Sequence, residues 1–357
     1  MQAKLILKNG ETIIWESFGY EWNAVWEVVF NTGMIWYPET LTDPSYKSQI
    51  LICTYPLLWN YGVPDFNKED IFWLKKYFES DTIHISALIV SEYSENYNHH
   101  EWEISLSEFL KEHKIPAITG VDTRYLTQKI RDNGCMLWKI EVWNIKNTLP
   151  YHDPNLDLLS YQVCSQEIQK YGSWKKKICL VDMGVKNNII RNLLRYEVTI
   201  IRVPGNHAFM EDGENYDWIF LSNGPWDPAL YTDTIHQVKK ALKADLPIFW
   251  ICLWNQLLAL AAWAKTYKLS YGHRGQNQPC KDTITGKCIV TSQNHSFAID
   301  EKSLPKTVKP LFTNINDGSN EGIYFTNKNA KSVQFHPESS PGPHDSKYLF
   351  EEFINSL

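Results

Sequence analysis

Cys252 closes the apolar run Leu246-Pro247-Ile248-Phe249-Trp250-Ile251 and is followed at once by Leu253-Trp254-Asn255-Gln256-Leu257-Leu258-Ala259-Leu260, which reads as a helix. A thiol on a strand-to-helix turn is held clear of the sheet, and the N–H groups that open a helix suit an anion, whether a thiolate or an oxyanion. The arrangement fits a sulfur nucleophile attacking a carbonyl. Taken alone, a cysteine after a hydrophobic strand reads more readily as a buried apolar residue. The second half of the chemistry comes 84 residues later, where 332–335 reads as a short strand delivering His336-Pro337-Glu338. A cysteine nucleophile needs an imidazole to shuttle its proton, and the imidazole needs an acid to orient it.

Such groups need a sheet to hold them. Short buried strands at 178–182, 198–203 and 217–221, with a helix at 187–195, alternate at the spacing of a parallel sheet covered on both faces. Sites in such sheets lie at the carboxyl ends of the strands. Asn223-Gly224-Pro225, Cys252 and His336 all fall just past strand ends. Residues 1–145 read differently, with strand-rich segments at 25–31, 50–55 and 83–90, then helices at 105–113 and 123–132. The expected organisation is an α+β domain over 1–145, a linker over 146–175 marked by Pro150 and Asp153-Pro154-Asn155, and an α/β domain with a doubly wound, mostly parallel sheet over 176–357.

Composition sets the frame. A chain of 357 residues is long for one domain and can bury two cores. With 35 basic and 41 acidic side chains the net charge is -6, which argues against a general nucleic-acid binder. Lys175-Lys176-Lys177 reads as a solvated lead-in to a strand. No apolar run approaches the roughly 20 residues of a membrane span, so a cytoplasmic protein is expected. The seven cysteines are odd in number and scattered, which supports neither a disulfide framework nor a zinc site, and His99-His100 has no partners at ligand spacing.

Several ordered motifs carry a resemblance. Asp182-Met183-Gly184-Val185-Lys186, Leu221-Ser222-Asn223-Gly224-Pro225, Ile251-Cys252-Leu253 with Gln256, Gly272-His273-Arg274-Gly275, Thr291-Ser292-Gln293-Asn294-His295 and Gln334-Phe335-His336-Pro337-Glu338 together resemble the class I (triad) glutamine amidotransferases. In the first domain, 27–32, 41–46, 60–63 and 120–127 resemble the small subunit of carbamoyl-phosphate synthetase. The resemblance implies a glutaminase in which Cys252 attacks the side-chain amide of L-glutamine, His336 protonates the departing ammonia and Glu338 orients His336. It implies a glutamine pocket at Ser45, Gly224, Trp226, Leu253, Gln256, Asn294, Ser296 and Phe297. It also implies a large synthetase subunit as partner, which holds ATP and a divalent metal ion and makes carbamoyl phosphate, for arginine, pyrimidines or both; no cofactor is expected in this chain. Asn255 stands where the family usually has histidine, and Ser296 where it has glycine.

One departure recurs. Trp15, Trp22, Trp26, Trp36, Trp59, Trp138, Trp218, Trp226, Trp250, Trp254 and Trp263 stand where the family pattern has glycine. Three of them, Trp226, Trp250 and Trp254, fall on the nucleophile's turn or the pocket. Glycine is scarce, 17 residues or about 4.8% against the usual roughly 7%, and reading those eleven positions as glycine brings it to about 7.8%. The reading that accounts for both is a UGA codon written as tryptophan but inserted as glycine. Trp102 matches no family glycine; Trp73, Trp143 and Trp174 are not placed. If the indoles are native, the expectation changes from a glutaminase to a catalytically dead docking or regulatory subunit. A third possibility, an amidotransferase serving a different synthase, is disfavoured by the first domain.

Overall fold

The computed structural model describes the chain apart from residues 1, 36, 57–59, 100, 144, 146–148, 341 and 356–357, and apart from the side chains of Trp250 and Trp254. The expected glycine positions at 36 and 59 therefore lie outside the described residues. The chain forms two compact units, Met1–Asp157 and Leu158–Leu357. None of the described helices is long and apolar enough to cross a membrane.

The first unit is built on strands β1 (Gln2–Ile6), β2 (Thr12–Ser17), β3 (Ala24–Asn31), β4 (Gln49–Cys53), β5 (Val63–Pro64), β6 (Ala87–Ile89), β7 (Trp102–Ile104), β8 (Ala117–Thr119) and β9 (Leu137–Val142). Seven of them close a barrel in the order β1-β2-β8-β6-β4-β3-β9, while β5 and β7 pair separately. Closure removes the exposed edges that a short open sheet would carry. Helices α1 (Tyr37–Thr42), α2 (Leu106–Glu112) and α3 (Thr123–Asn133) complete the unit. α2 starts where the sequence places it because Ser105 and Glu108 form a reciprocal capping box.

The second unit contains α4 (Leu159–Val163), β10 (Gln169–Tyr171), β11 (Lys176–Asp182), α5 (Asn187–Leu193), β12 (Val198–Pro204), β13 (Trp218–Leu221), α6 (Thr232–Lys243), β14 (Ile248–Ile251), α7 (Leu253–Ala261), β15 (Lys265–Asp282), β16 (Cys288–Asp300), β17 (Val308–Asn314), β18 (Asn320–Phe325), β19 (Ala330–Val333) and α8 (Tyr348–Asn355). Its ten-stranded sheet runs β10-β12-β11-β13-β14-β19-β18-β17-β15-β16. Strands β12 to β19 of that order are parallel, the part read from the sequence, and an antiparallel half, β18-β17-β15-β16, extends it. The division at Asp157 falls inside the segment expected as a linker over 146–175, and α4 and β10 belong to the second unit, β10 pairing antiparallel with β12.

Both faces of the parallel half are covered. On one side α6 buries Thr234, Gln237, Val238, Ala241 and Leu242, the i, i+3, i+4, i+7, i+8 stripe of an amphipathic helix, against a core shared with Leu253, Leu257 and Leu258 of α7. On the other, Phe353 of α8 stacks on Phe249 with centroids 5.0 Å apart and meets Phe220 at 5.7 Å. With both faces filled, the strand ends are the edge left to carry a site.

Candidate active site

Strand β14 ends at Ile251 and α7 begins at Leu253, so Cys252 alone makes the turn, with φ 61° and ψ -110°. Such a conformation costs a non-glycine residue of order 1–3 kcal/mol and persists only where neighbours over-determine it. Here the Cys252 N–H donates to Val333 O at 2.9 Å and its carbonyl accepts from Asn255 N at 3.0 Å. The residue is 1% exposed, and its Sγ lies 3.6 Å from Asn294 O on β16. The first N–H groups of a helix lack partners one turn back, and those ahead of Asn255 suit an oxyanion.

His336 and Glu338 follow β19, and the His336 N–H donates to Ser292 O at 2.8 Å. His336 Nδ1 lies 2.7 Å from Glu338 Oε1, which leaves Nε2 as the nitrogen for the thiol. Lys186 Nζ reaches the same carboxylate oxygen at 2.5 Å, with both side chains buried. Burial and Lys186 oppose the imidazolium, but Glu338 and Cys252 outweigh them and raise His336 to about 10. Burial likewise opposes ionisation of Glu338, and Lys186 and His336 overcome it and hold the carboxyl at about 2. The pair is therefore charged at neutral pH.

A second set of side chains stands behind the thiol. Ser332 Oγ donates to Asn255 Oδ1 at 2.7 Å, and Asn255 Nδ2 donates to Gln334 Oε1 at 3.3 Å. Gln256 Nε2 donates to the same oxygen at 2.9 Å and to Phe297 O at 2.6 Å. Two donors on Gln334 Oε1 fix which end of that amide is oxygen, so its Nε2, 3.7 Å from Cys252 Sγ, faces the sulfur as a donor. Asn255, where the family usually has histidine, is a fully engaged link in this chain.

The pocket positions fall as follows. Gly224 follows β13, and a Cβ there would come within 2.5 Å of Met183 O and 2.8 Å of Leu253 Cδ2, so only glycine lets these segments approach. Leu253, Gln256, Asn294 and Phe297 gather on α7 and β16 around Cys252. Ser296 accepts a hydrogen bond from Arg274. Trp226 is 6% exposed with φ 73°, and Lys268, the cross-strand neighbour of Phe297, lies 5.9 Å from its ring. Ser45 belongs to the first unit, on a 3-10 turn over Pro44–Tyr46 where its N–H is capped by Asp43 at 2.9 Å.

The sequence reading gave no role to Lys186, Gln334 or a buried set on the antiparallel half. There His273 lies 2.7 Å from Asp317 and 3.2 Å from Glu321, with His295 3.6 Å from Glu321. Burial disfavours the charge on His273, but Asp317 and Glu321 outweigh it and raise the ring to about 9; both carboxyls lie below their ordinary range. Burial pushes His295 down, and its Nδ1 lies 2.8 Å from Phe297 O. His273, His295 and Glu321 have the composition of a metal site, their ligand atoms lying within 4.8 Å of one another. The contacts among them also pin the strand that carries Asn294 to Phe297.

The family model for "Glutamine amidotransferase class-I" matches residues 179–356, and that for "Carbamoyl-phosphate synthase small chain, CPSase domain" matches residues 5–140. The multifunctional protein CAD of Squalus acanthias is 48% identical over 99% of this chain and 16% of its own length. The mitochondrial carbamoyl-phosphate synthase (ammonia) of Homo sapiens is 44% identical over 99% of this chain and 24% of its own. The chain thus spans about a sixth to a quarter of these relatives. A crystal structure of a glutamine amidotransferase from Thermotoga maritima is similar at 19% identity and a TM-score of 0.37, over 52% of this chain and 85% of that one. With the two models matching in order along most of its length, the chain belongs to the carbamoyl-phosphate synthase small-chain family, a small-chain domain followed by a class-I glutamine amidotransferase domain.

Proposed function

We propose that this chain is the glutaminase component of a glutamine-dependent carbamoyl-phosphate synthase. The observation that carries the reading is the buried, hydrogen-bonded Glu338–His336 pair on the same sheet edge as Cys252. Cys252 Sγ attacks the side-chain carbonyl carbon of L-glutamine, and the oxyanion is met by backbone N–H groups at the start of α7 and beside Gly224. As the C–N bond breaks, His336 passes its proton to the leaving nitrogen, which departs as ammonia. Water then adds to the thioester, returning a proton to His336 and releasing glutamate and the free thiol. The ammonia goes to a large synthetase subunit, which carries the ATP and divalent-metal chemistry. Seven free thiols fit a reducing, cytoplasmic setting.

Some relatives are named as ammonia-dependent synthases, so likeness along the chain does not itself separate glutamine use from ammonia use. The nucleophile on its strained turn favours glutamine. The test is glutamate release from glutamine by the full chain with its synthetase partner, together with the mass of Cys252-containing peptides trapped during turnover. Cys252→Ser is expected to abolish both release and adduct. Glutamate release that survives Cys252→Ser would sink the reading. A docking role in place of catalysis is favoured by one observation only, the buried Trp226 beside Gly224.

A further inference from the structure

Among the described residues, seven non-glycine residues have positive φ, and three of the seven are tryptophans: Trp73, Trp226 and Trp263. Tryptophan makes up 15 of 357 residues, so chance does not gather it there. A bulky aromatic in the left-handed region is an outlier wherever it occurs. Two of these positions also have a defined structural job.

Trp263 follows the C-cap of α7, Ala262, with φ 70°. Its N–H donates to Leu260 O at 3.0 Å, and the next N–H, of Ala264, donates to Ala259 O at 2.9 Å. These are the two bonds of a Schellman motif, and residue 263 is its left-handed position, where glycine is the usual residue. Trp73 ends a three-residue hairpin loop. Its N–H donates to Asp70 O at 3.1 Å, Asp70 N donates to Leu74 O at 2.9 Å, and Glu69 bridges Lys75 just outside. A type I turn followed by a left-handed residue is the geometry that takes glycine at its last loop position. Both indoles project into solvent, 82% and 81% exposed, and although Lys239 Nζ sits 3.7 Å from the Trp263 ring centroid, neither ring is buried in a core that would hold the strained backbone.

Buried tryptophans give a separate observation. The indole Nε1 atoms of Trp15, Trp138 and Trp218 are buried without a hydrogen-bond partner, and Trp138 is fully enclosed inside the barrel, directly across from Trp26. Buried indole N–H groups ordinarily find an acceptor. These sites enclose a ring, that of Trp218 against Phe353 and Lys176, without an acceptor for its N–H.

We propose that the polypeptide in its own cell carries glycine at positions 73, 226 and 263, and at the other positions where tryptophan replaces a family glycine, all through UGA codons inserted as glycine. Position 73 is added by the hairpin geometry alone. Trp102, at ordinary φ with its ring edge-on to Tyr61 at 4.4 Å, remains tryptophan. Nothing in the structure assigns Trp143 or Trp174. At position 226 the consequence is functional: the side of the glutamine pocket beside Gly224 is bare backbone rather than an indole, so its shape is set by main-chain atoms. Only this consequence rests on the glutaminase reading.

The test is peptide mass spectrometry of the chain purified from its source cells, over segments containing residues 73, 102, 226 and 263, with the codons of the same gene read alongside. The expected result is the glycine mass at 73, 226 and 263, the tryptophan mass at 102, and UGA at the first three against UGG at the fourth. Tryptophan mass at 73 and 263, or UGG there, overturns the proposal. A second arm compares the full chain as written with one carrying Trp→Gly at all twelve positions. The glycine form is expected to hydrolyse glutamine roughly a hundredfold faster, the scale on which misplaced catalytic geometry costs rate. Glycine masses with an inactive glycine form would leave this proposal standing and overturn the glutaminase instead.

Discussion

At the residue scale, the amide of Gln334 is oriented by two donors on its oxygen and presents its N–H to the sulfur of Cys252. A donor there favours sulfur's anionic form, and a carboxylate in the same place opposes it. Gln334→Glu is therefore expected to move the alkylation of Cys252 by iodoacetamide to higher pH and to lower kcat/KM for glutamine at least roughly tenfold. An unshifted alkylation profile would remove Gln334 from the chemistry. Glu338→Gln tests the other side: without one of the two groups that outweigh burial and Lys186, the charge on His336 is weakened near neutral pH. Turnover should fall by roughly 10²-fold or more, the contribution of a positioned acid–base group, with KM much less affected. The positions of Cys252 and His336 just past strand ends, with Glu338 two residues on, were legible in the sequence. Gln334, Asn255 and Ser332 were not, because their meeting depends on the side-by-side placement of β19 and α7, which no local pattern records.

Single elements carry the site because their ends are tied. Asp182, at the carboxyl end of β11 and fully buried, accepts from Gly184 N and Val185 N at 2.8 Å, from Ser165 N at 2.7 Å and from Arg202 Nε at 2.7 Å. It thereby fixes the turn that delivers Lys186 to Glu338. Asp182→Asn leaves a partly buried guanidinium, 14% exposed, without its counter-charge and is expected to cost about 3 kcal/mol, read as a shift in the urea midpoint; a loss under 1 kcal/mol would show the turn to be held by other bonds. At the far end of the nucleophile helix, Trp263→Gly relieves a left-handed aromatic and should stabilise the chain by about 1 kcal/mol. For a unit of this size that raises Tm by about 2–4 °C, and a lowered Tm would mean the indole contributes more than its backbone costs. The parallel strands could be read in advance because each is short and buried, with helices following β11, β13 and β14. The barrel of the first unit could not, since its closure joins β1 to β9 and β2 to β8 across most of the unit's length. The antiparallel half was equally hidden, because β15 and β16 carry register shifts and mixed burial in place of a clean alternation.

On the scale of the whole molecule, buried charge makes stability depend on pH in two directions. Glu338, Glu321 and Asp317 have depressed carboxyls in the folded chain. Their contribution is complete above the ordinary carboxylate pKa of about 4 and is lost as pH falls toward about 2, where Glu338 takes its proton. His336 and His273 have the opposite sign, raised to about 10 and about 9. Their contribution is complete below the ordinary histidine pKa of about 6.5 and is lost as pH rises through the folded values. With His295, whose lowered value takes stability away as pH falls below about 6.5, the limits place the maximum near pH 6.5, with a fall on each side, and put the chain on its alkaline slope at neutral pH. Urea midpoints measured from pH 3 to 10 test this directly. A flat profile above pH 6.5 would mean that both imidazoles are neutral in the folded chain. The slope also has an assignable part: His273→Gln removes one of the two raised imidazoles without touching His336 or Glu338, so it should flatten the limb between about pH 6.5 and 8.5 by about half, below the range where the buried thiols Cys53, Cys179 and Cys280 add to the fall.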